Sequence, residues 1–127
     1  MAAGGVDSNA VPQSKKGAVV ISNIHTDIVC TSFTDKLMLI ITQYQKLGTV
    51  MYVFNEAEIS GMQQPLFNTK VLIGKDEPVT HVYARNIALK LHQLGNTKPL
   101  LLTLALKDDT PEMLKAILES ITQCKVW

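Results

Sequence analysis

Three histidines and two cysteines are the side chains of this sequence best suited to hold a metal or act as nucleophiles: His25, His81, His92, Cys30 and Cys124. A zinc centre needs several such ligands converging, a demand often visible as His-Glu-x-x-His or Cys-x-x-Cys spacing. Neither spacing occurs. His81 and His92 fall on nearly one face of a predicted helix, but roughly 16 Å of helical rise separates them. They cannot share an ion, and no metal or cofactor is expected. Cys30 lies mid-strand and Cys124 near a helix end. Without a base or cation beside them, both read as small core hydrophobes.

Two acidic turns could do other chemistry. Gly74-Lys75-Asp76-Glu77-Pro78 joins a strand to a helix, where phosphate loops sit. A P-loop, however, needs a glycine five residues before Gly74 and a hydroxyl after the lysine. Thr69 and Asp76 stand there, and Asp76 with Glu77 would repel a phosphate, so helix capping is the expected role. Asp108-Asp109-Thr110-Pro111 repeats the pattern before a second helix, with capping again expected and Thr-Pro phosphorylation the alternative. The catalytic constellation an enzyme requires is missing.

The segment from Asn55 to Asn68 is too long for a hairpin. It sets Ile59, Met62, Leu66 and Phe67 beside Glu56 and Glu58. Long loops of this kind often carry binding function. Ile59, Met62 and Phe67 are therefore the predicted protein-binding residues, with a plain linker as the alternative.

The elements holding these residues are strands first and helices later. Strands are predicted at about 18–22, 26–33, 36–44, 49–54, 69–73 and 99–106. Gln45-Lys46-Leu47-Gly48 is expected to turn the chain before the fourth, with Gly48 free to take positive φ. A helix over 77–94 begins with Asp76 or Glu77 as cap and Pro78 in its first turn. Val79, Tyr83, Ile87, Leu91 and Leu94 form its apolar stripe, widened by Val82, Ala84 and Ala88. Gly95 should end it in a left-handed cap. A second helix starts at 110–112 and turns Leu114, Ile117, Leu118 and Ile121 inward. The expected fold is α+β: an antiparallel sheet of about six strands flanked by two main helices. Residues 1–17 read as a flexible tail and 18–127 as one domain.

Two strands do not alternate. Leu37 to Ile41 is apolar throughout, and Leu100-Leu101-Leu102 and Leu104-Ala105-Leu106 flank a single Thr103. Such strands present apolar surface on both faces. Two helices cover about one face. The other must be covered by the sheet curling into a sandwich or by another subunit, because a monomer tolerates only a few hundred Å² of exposed apolar patch.

Composition narrows the class further. The 127 residues carry 12 Lys+Arg against 11 Asp+Glu, a net charge of +1 that gives no drive towards nucleic acid or an acidic membrane. At 46% hydrophobic the chain can fill a core. No run reaches the length of a membrane helix. The first residues lack the features of a secretory or transit signal, and no Asn opens an N-x-Ser/Thr site. With unpaired cysteines, the expected location is the cytosol, with the nucleus as a second compartment.

The stretches VCTSFTDKLMLIITQYQKLGT, TKVLIGKDEPVTHVYARNIA and LTLALKD, with the ending CKVW, together resemble the proteasome assembly chaperone 3 family. The resemblance runs from about His25 to Trp127. It implies a small α+β protein without catalytic residues or cofactor. It implies pairing with a related subunit, proteasome assembly chaperone 4, with a homodimer as an option for the isolated chain. The pair would help α-type subunits of the proteasome core particle assemble in order into a ring. Several proteasome-binding proteins dock through a C-terminal tail with tyrosine in the penultimate position. Val126 stands there, so Trp127 is expected to fold back onto apolar surface instead. The alternative from a different class is a small dimeric α/β scaffold of a trafficking or signalling complex.

Overall fold

The computed structural model describes residues 13–44, 48–57 and 64–127. Among the described residues six strands and two helices follow in the order β1 (Gln13–Ile21), β2 (Ile24–Ser32), β3 (Leu37–Thr42), β4 (Thr49–Asn55), β5 (Phe67–Ile73), α1 (Pro78–Gln93), β6 (Leu100–Ala105) and α2 (Pro111–Ile121). A short 3-10 turn, Thr122–Cys124, closes the second helix. The expected α+β sheet with two helices is what forms.

The strands lie side by side as β1-β2-β3-β6-β4-β5 in one sheet. Four pairings are antiparallel, but β3 and β6 run parallel. The sheet is therefore mixed where a purely antiparallel one was expected. The cause is the crossover through α1, which carries the chain from β5 past β4 into the centre. There Leu100–Ala105, apolar on both sides of Thr103, suits a strand that needs burial on both faces. The sheet stays open, with β1 and β5 as its edges, so no sandwich curl forms.

The first strand begins at Gln13, not at about Ala18, and pairs with β2 from Gln13↔Ser32 to Ile21↔Ile24. Residues 13–17, read as tail, are part of this edge strand. Ser22 and Asn23 both take positive φ, 51° and 63°, which is the two-residue turn whose twist suits a hairpin. Gly48 is needed for space: a Cβ there would collide with the Leu104 carbonyl oxygen and lie 2.9 Å from the Ala105 Cα.

Both helices cover one face. α1 packs on β4, β5 and α2, and α2 reaches β1. Beneath them lie alternate residues of the central strands: Leu37, Leu39 and Ile41 of β3, Leu100, Leu102 and Leu104 of β6, and Met51 and Val53 of β4. From above come Tyr83, Ala84, Ile87, Ala88 and Leu91 of α1 and Met113, Ile117 and Ile121 of α2. Val82, assigned to the apolar stripe, instead faces solvent, and Met113 takes a core position that the predicted stripe left out.

The helix ends are set by local chemistry. Thr110 caps α2: its Oγ1 accepts from the Met113 N–H at 3.2 Å, and its own N–H and O–H donate to Asp108. Glu77 holds the cap position of α1, but its side chain makes no capping bond. At the other end the Gly95 N–H donates to His92 O and the Asn96 N–H to Leu91 O, with Gly95 at φ +102°. That pair of bonds is the expected glycine cap.

Candidate protein-binding surface

The groups that could carry small-molecule chemistry are dispersed. His25 bonds Asp27 at 2.9 Å on the exposed surface. His81 accepts or donates at Nδ1 to Thr69 Oγ1 (2.6 Å) while Nε2 meets Asp76 Oδ1. This relay ties β5 and the following turn to the first turn of α1, and it takes Asp76 away from capping. His92 stands edge-on to the Phe67 ring, centroids 6.1 Å apart. Among the described residues no three His, Cys, Asp or Glu side chains are placed to hold a metal.

The cysteines are shut in. Cys30 is 1% exposed, and burial, aided by the nearby Cys124, pushes its thiol up to about 12. Burial also raises Cys124. Burial thus disfavours the thiolate, the nucleophilic form, at both cysteines.

The sheet face opposite the helices is where the molecule is unusual. On β1, Val19 and Ile21 point to the core, which turns Lys16, Ala18 and Val20 to the other side. Across the sheet the pairing Lys16↔Val29↔Ile40↔Thr103↔Val50 forms one row of that second face. Thr31↔Met38↔Leu101↔Tyr52↔Lys70 forms the next. Phe54 extends it, with its ring 5.8 Å from that of Tyr52. Val29, Met38, Ile40, Val50, Tyr52, Phe54 and Leu101 are only half-buried, because they shield one another and neither described helix lies over them. At the β5 edge Leu72 is 49% and Ile73 66% exposed, beside a bulge between Val50 and Met51. The apolar runs in β3 and β6 signalled this surface; the contributions of β2 and β4 needed the register.

Of the predicted binding residues, Ile59 and Met62 lie outside the described residues. Phe67 opens β5, packs against the core and meets His92, so it serves the fold. Trp127 folds back as expected: it is half-buried against the core, and its indole N–H donates to Leu94 O.

Among the described residues the chain is a two-layer α+β fold with one apolar sheet face uncovered, a kind of surface that commonly marks an interaction site. Its family follows from comparison. A family profile described as proteasome assembly chaperone 3 matches residues 39–124. Proteasome assembly chaperone 3 of Bos taurus is 38% identical over 114 residues, covering 90% of this chain and 93% of the bovine protein. The Homo sapiens protein is 37% identical over the same shares, and that of Nematostella vectensis 34%, covering 90% of this chain and 92% of its own. A chain from the crystal structure of a novel chaperone complex for yeast 20S proteasome assembly shares the fold. It superposes with TM-score 0.70 over 89% of this chain and 97% of that one, at 16% identity. This chain belongs to the proteasome assembly chaperone 3 family. That membership sets aside the trafficking or signalling scaffold.

Proposed function

We propose that this protein promotes ordered formation of the α-ring of the proteasome core particle as a heterodimer with proteasome assembly chaperone 4, by binding and without catalysis, in the cytosol and nucleus. The observation that carries this reading is the bare face of Val29, Met38, Ile40, Tyr52 and Leu101. Covering such a face with a second sheet, packed about 10 Å away, is the ordinary way to bury it. The partner chaperone would take this face, leaving the helical side and the segment holding Ile59 and Met62 for α-type subunits.

Affinity purification of the tagged protein from growing cells, followed by mass spectrometry, tests this. The expected catch is one small related chaperone plus α-type subunits without mature catalytic β subunits. Leu101→Lys, which puts a charge in the middle of the bare face, should lose the small chaperone. Recovery of neither partner class would overturn the reading.

A further inference from the structure

β5 is an edge of the sheet: β4 pairs with one side of its backbone, and no described strand lies on the other. The ladder decides which groups face outward. The Glu56 N–H donates to Leu66 O at 2.7 Å, so those two residues form a hydrogen-bonded pair. Bonded and non-bonded pairs alternate along antiparallel strands, so Asn68 and Lys70 turn their N–H and C=O groups to β4. Phe67, Thr69 and Val71 turn theirs outward, and no described residue bonds them. The opposite edge, β1, is guarded by the paired charges of Lys15 and Lys16. β5 has Lys70 alone and leaves Leu72 and Ile73 exposed.

α1 packs on β5 and walls this edge. The Thr69–His81 hydrogen bond and the Phe67–His92 contact fix helix to strand. On the outer side of the helix, Val82, Arg85, Asn86 and Leu89 are exposed at i, i+3, i+4 and i+7, which is one stripe. Arg85, Asn86 and Leu89 line a cleft of about 240 Å³ with Pro65, Leu66 and Phe67, where β5 begins. α1 contains no Asp or Glu, and Arg85 has no ion-pair partner among the described residues. Free backbone donors and acceptors thus run beside two apolar side chains with a cation between them.

These features define an occupant. An open strand edge is satisfied by an extended chain that adds to the sheet. Val82 and Leu89 are separated by about 10.5 Å of helical rise. Residues i and i+4 of a strand are separated by about 13 Å, and residue i+2 shares their face. A strand beside β5 can therefore set apolar side chains against Val82 and Leu89 and bring its i+2 residue to Arg85. We propose that the β5 edge and the outer face of α1 form a groove that takes an extended segment of another protein as an added strand, with Asp or Glu at i+2 between apolar residues at i and i+4. This surface is separate from the bare face, and the proposal holds whichever chain covers that face.

The test titrates a fluorescein-labelled peptide, Thr-Val-Thr-Glu-Thr-Val-Thr, into the full chain and follows its anisotropy. Saturable binding is expected. Hydrogen exchange should show the Phe67, Thr69 and Val71 amides newly protected, with Asn68 and Lys70 unchanged, because only the first set faces the added strand. Probes N-methylated at alternate residues should lose binding in one methylation register and keep it in the other, since one row of peptide amides faces β5. Arg85→Glu should weaken binding about tenfold or more, and a probe with Lys in place of Glu should recover that loss. No saturation at millimolar probe, unchanged affinity in Arg85→Glu, or equal loss in both methylation registers overturns the proposal. So does a dimer of this chain that excludes the probe and is separated by Val82→Ser with Leu89→Ser, which would make the groove a contact between copies. The titration needs no other subunit, so its outcome is independent of the partners that purification recovers.

Discussion

The Trp127 indole N–H donates to the main-chain oxygen of Leu94 at 3.2 Å, so the last described residue of the chain closes the end of α1. Leu94 is the C-cap of that helix, just before the Gly95 turn, where carbonyls lack helical donors. The ring also packs against the core. Trp127→Ala removes both contributions. It should lower unfolding stability by about 2 kcal/mol, between the cost of a lost hydrogen bond and of a fully buried aromatic. Hydrogen exchange should show faster opening of the Gly95 and Asn96 amides. Unchanged protection there would mean that the tryptophan is a bystander.

Gln43 joins three elements. Its Nε2 donates to Thr26 Oγ1 at 3.0 Å, its Oε1 accepts from the Lys107 N–H at 2.8 Å, and Met113 Sδ lies 3.3 Å from Nε2. The side chain is buried. Gln43→Leu keeps the bulk but leaves the Lys107 N–H without its partner. Denaturant unfolding should show a loss of about 1–3 kcal/mol, the usual cost of an orphaned polar group. A neutral result would show that water replaces the amide.

Phe67 separates fold from binding. Because it packs on the core and meets His92 edge-on, Phe67→Ala should lower the melting temperature, with a loss of about 1–3 kcal/mol for a half-buried aromatic. Ile59→Ser with Met62→Ser should instead weaken capture of α-type subunits without changing the melting temperature. If Phe67→Ala melts like the unaltered chain, its packing is not what holds β5.

Alkaline pH should loosen the core. Burial raises the Cys30 thiol from 9.0 to about 12, with a smaller push from Cys124. Burial, then Asp108 and Asp109, raises the Tyr83 phenol from 10.0 to about 12. Both groups hold their protons more tightly when folded. Their contribution is therefore complete below about pH 9 and is lost progressively as pH climbs towards 12. Melting temperature should fall across that window, and Cys30→Ala should make the decline shallower. An equal slope in the variant would exclude Cys30 as a cause.

Much of the secondary structure was legible because its causes are local. Pro78 and Gly95 bracket α1, and Thr110-Pro111 opens α2, through capping rules that act within a few residues. The Ser22-Asn23 hairpin was missed because neither residue is glycine, yet both adopt positive φ. Val82 was misplaced because a widened helical stripe does not say which flank meets the sheet.

The amino-acid sequence by itself determined that two strands would be apolar on both sides, that two helices could cover only one side, and that neither His-Glu-x-x-His nor Cys-x-x-Cys spacing occurs. Residue order along Leu37–Ile41 and Leu100–Leu106 carries that information directly. Only the tertiary structure decided that both helices take the same face, that β6 inserts between β3 and β4, and that Val29, Tyr52 and Leu101 thereby share the bare one. The reason is that strand order and register depend on long-range pairing. A crossover helix that skips one strand or none leaves the local sequence pattern the same and changes every neighbour. Lys16 and Lys70 are far apart in the chain and were unremarkable charges until the sheet set them on opposite rims of one surface.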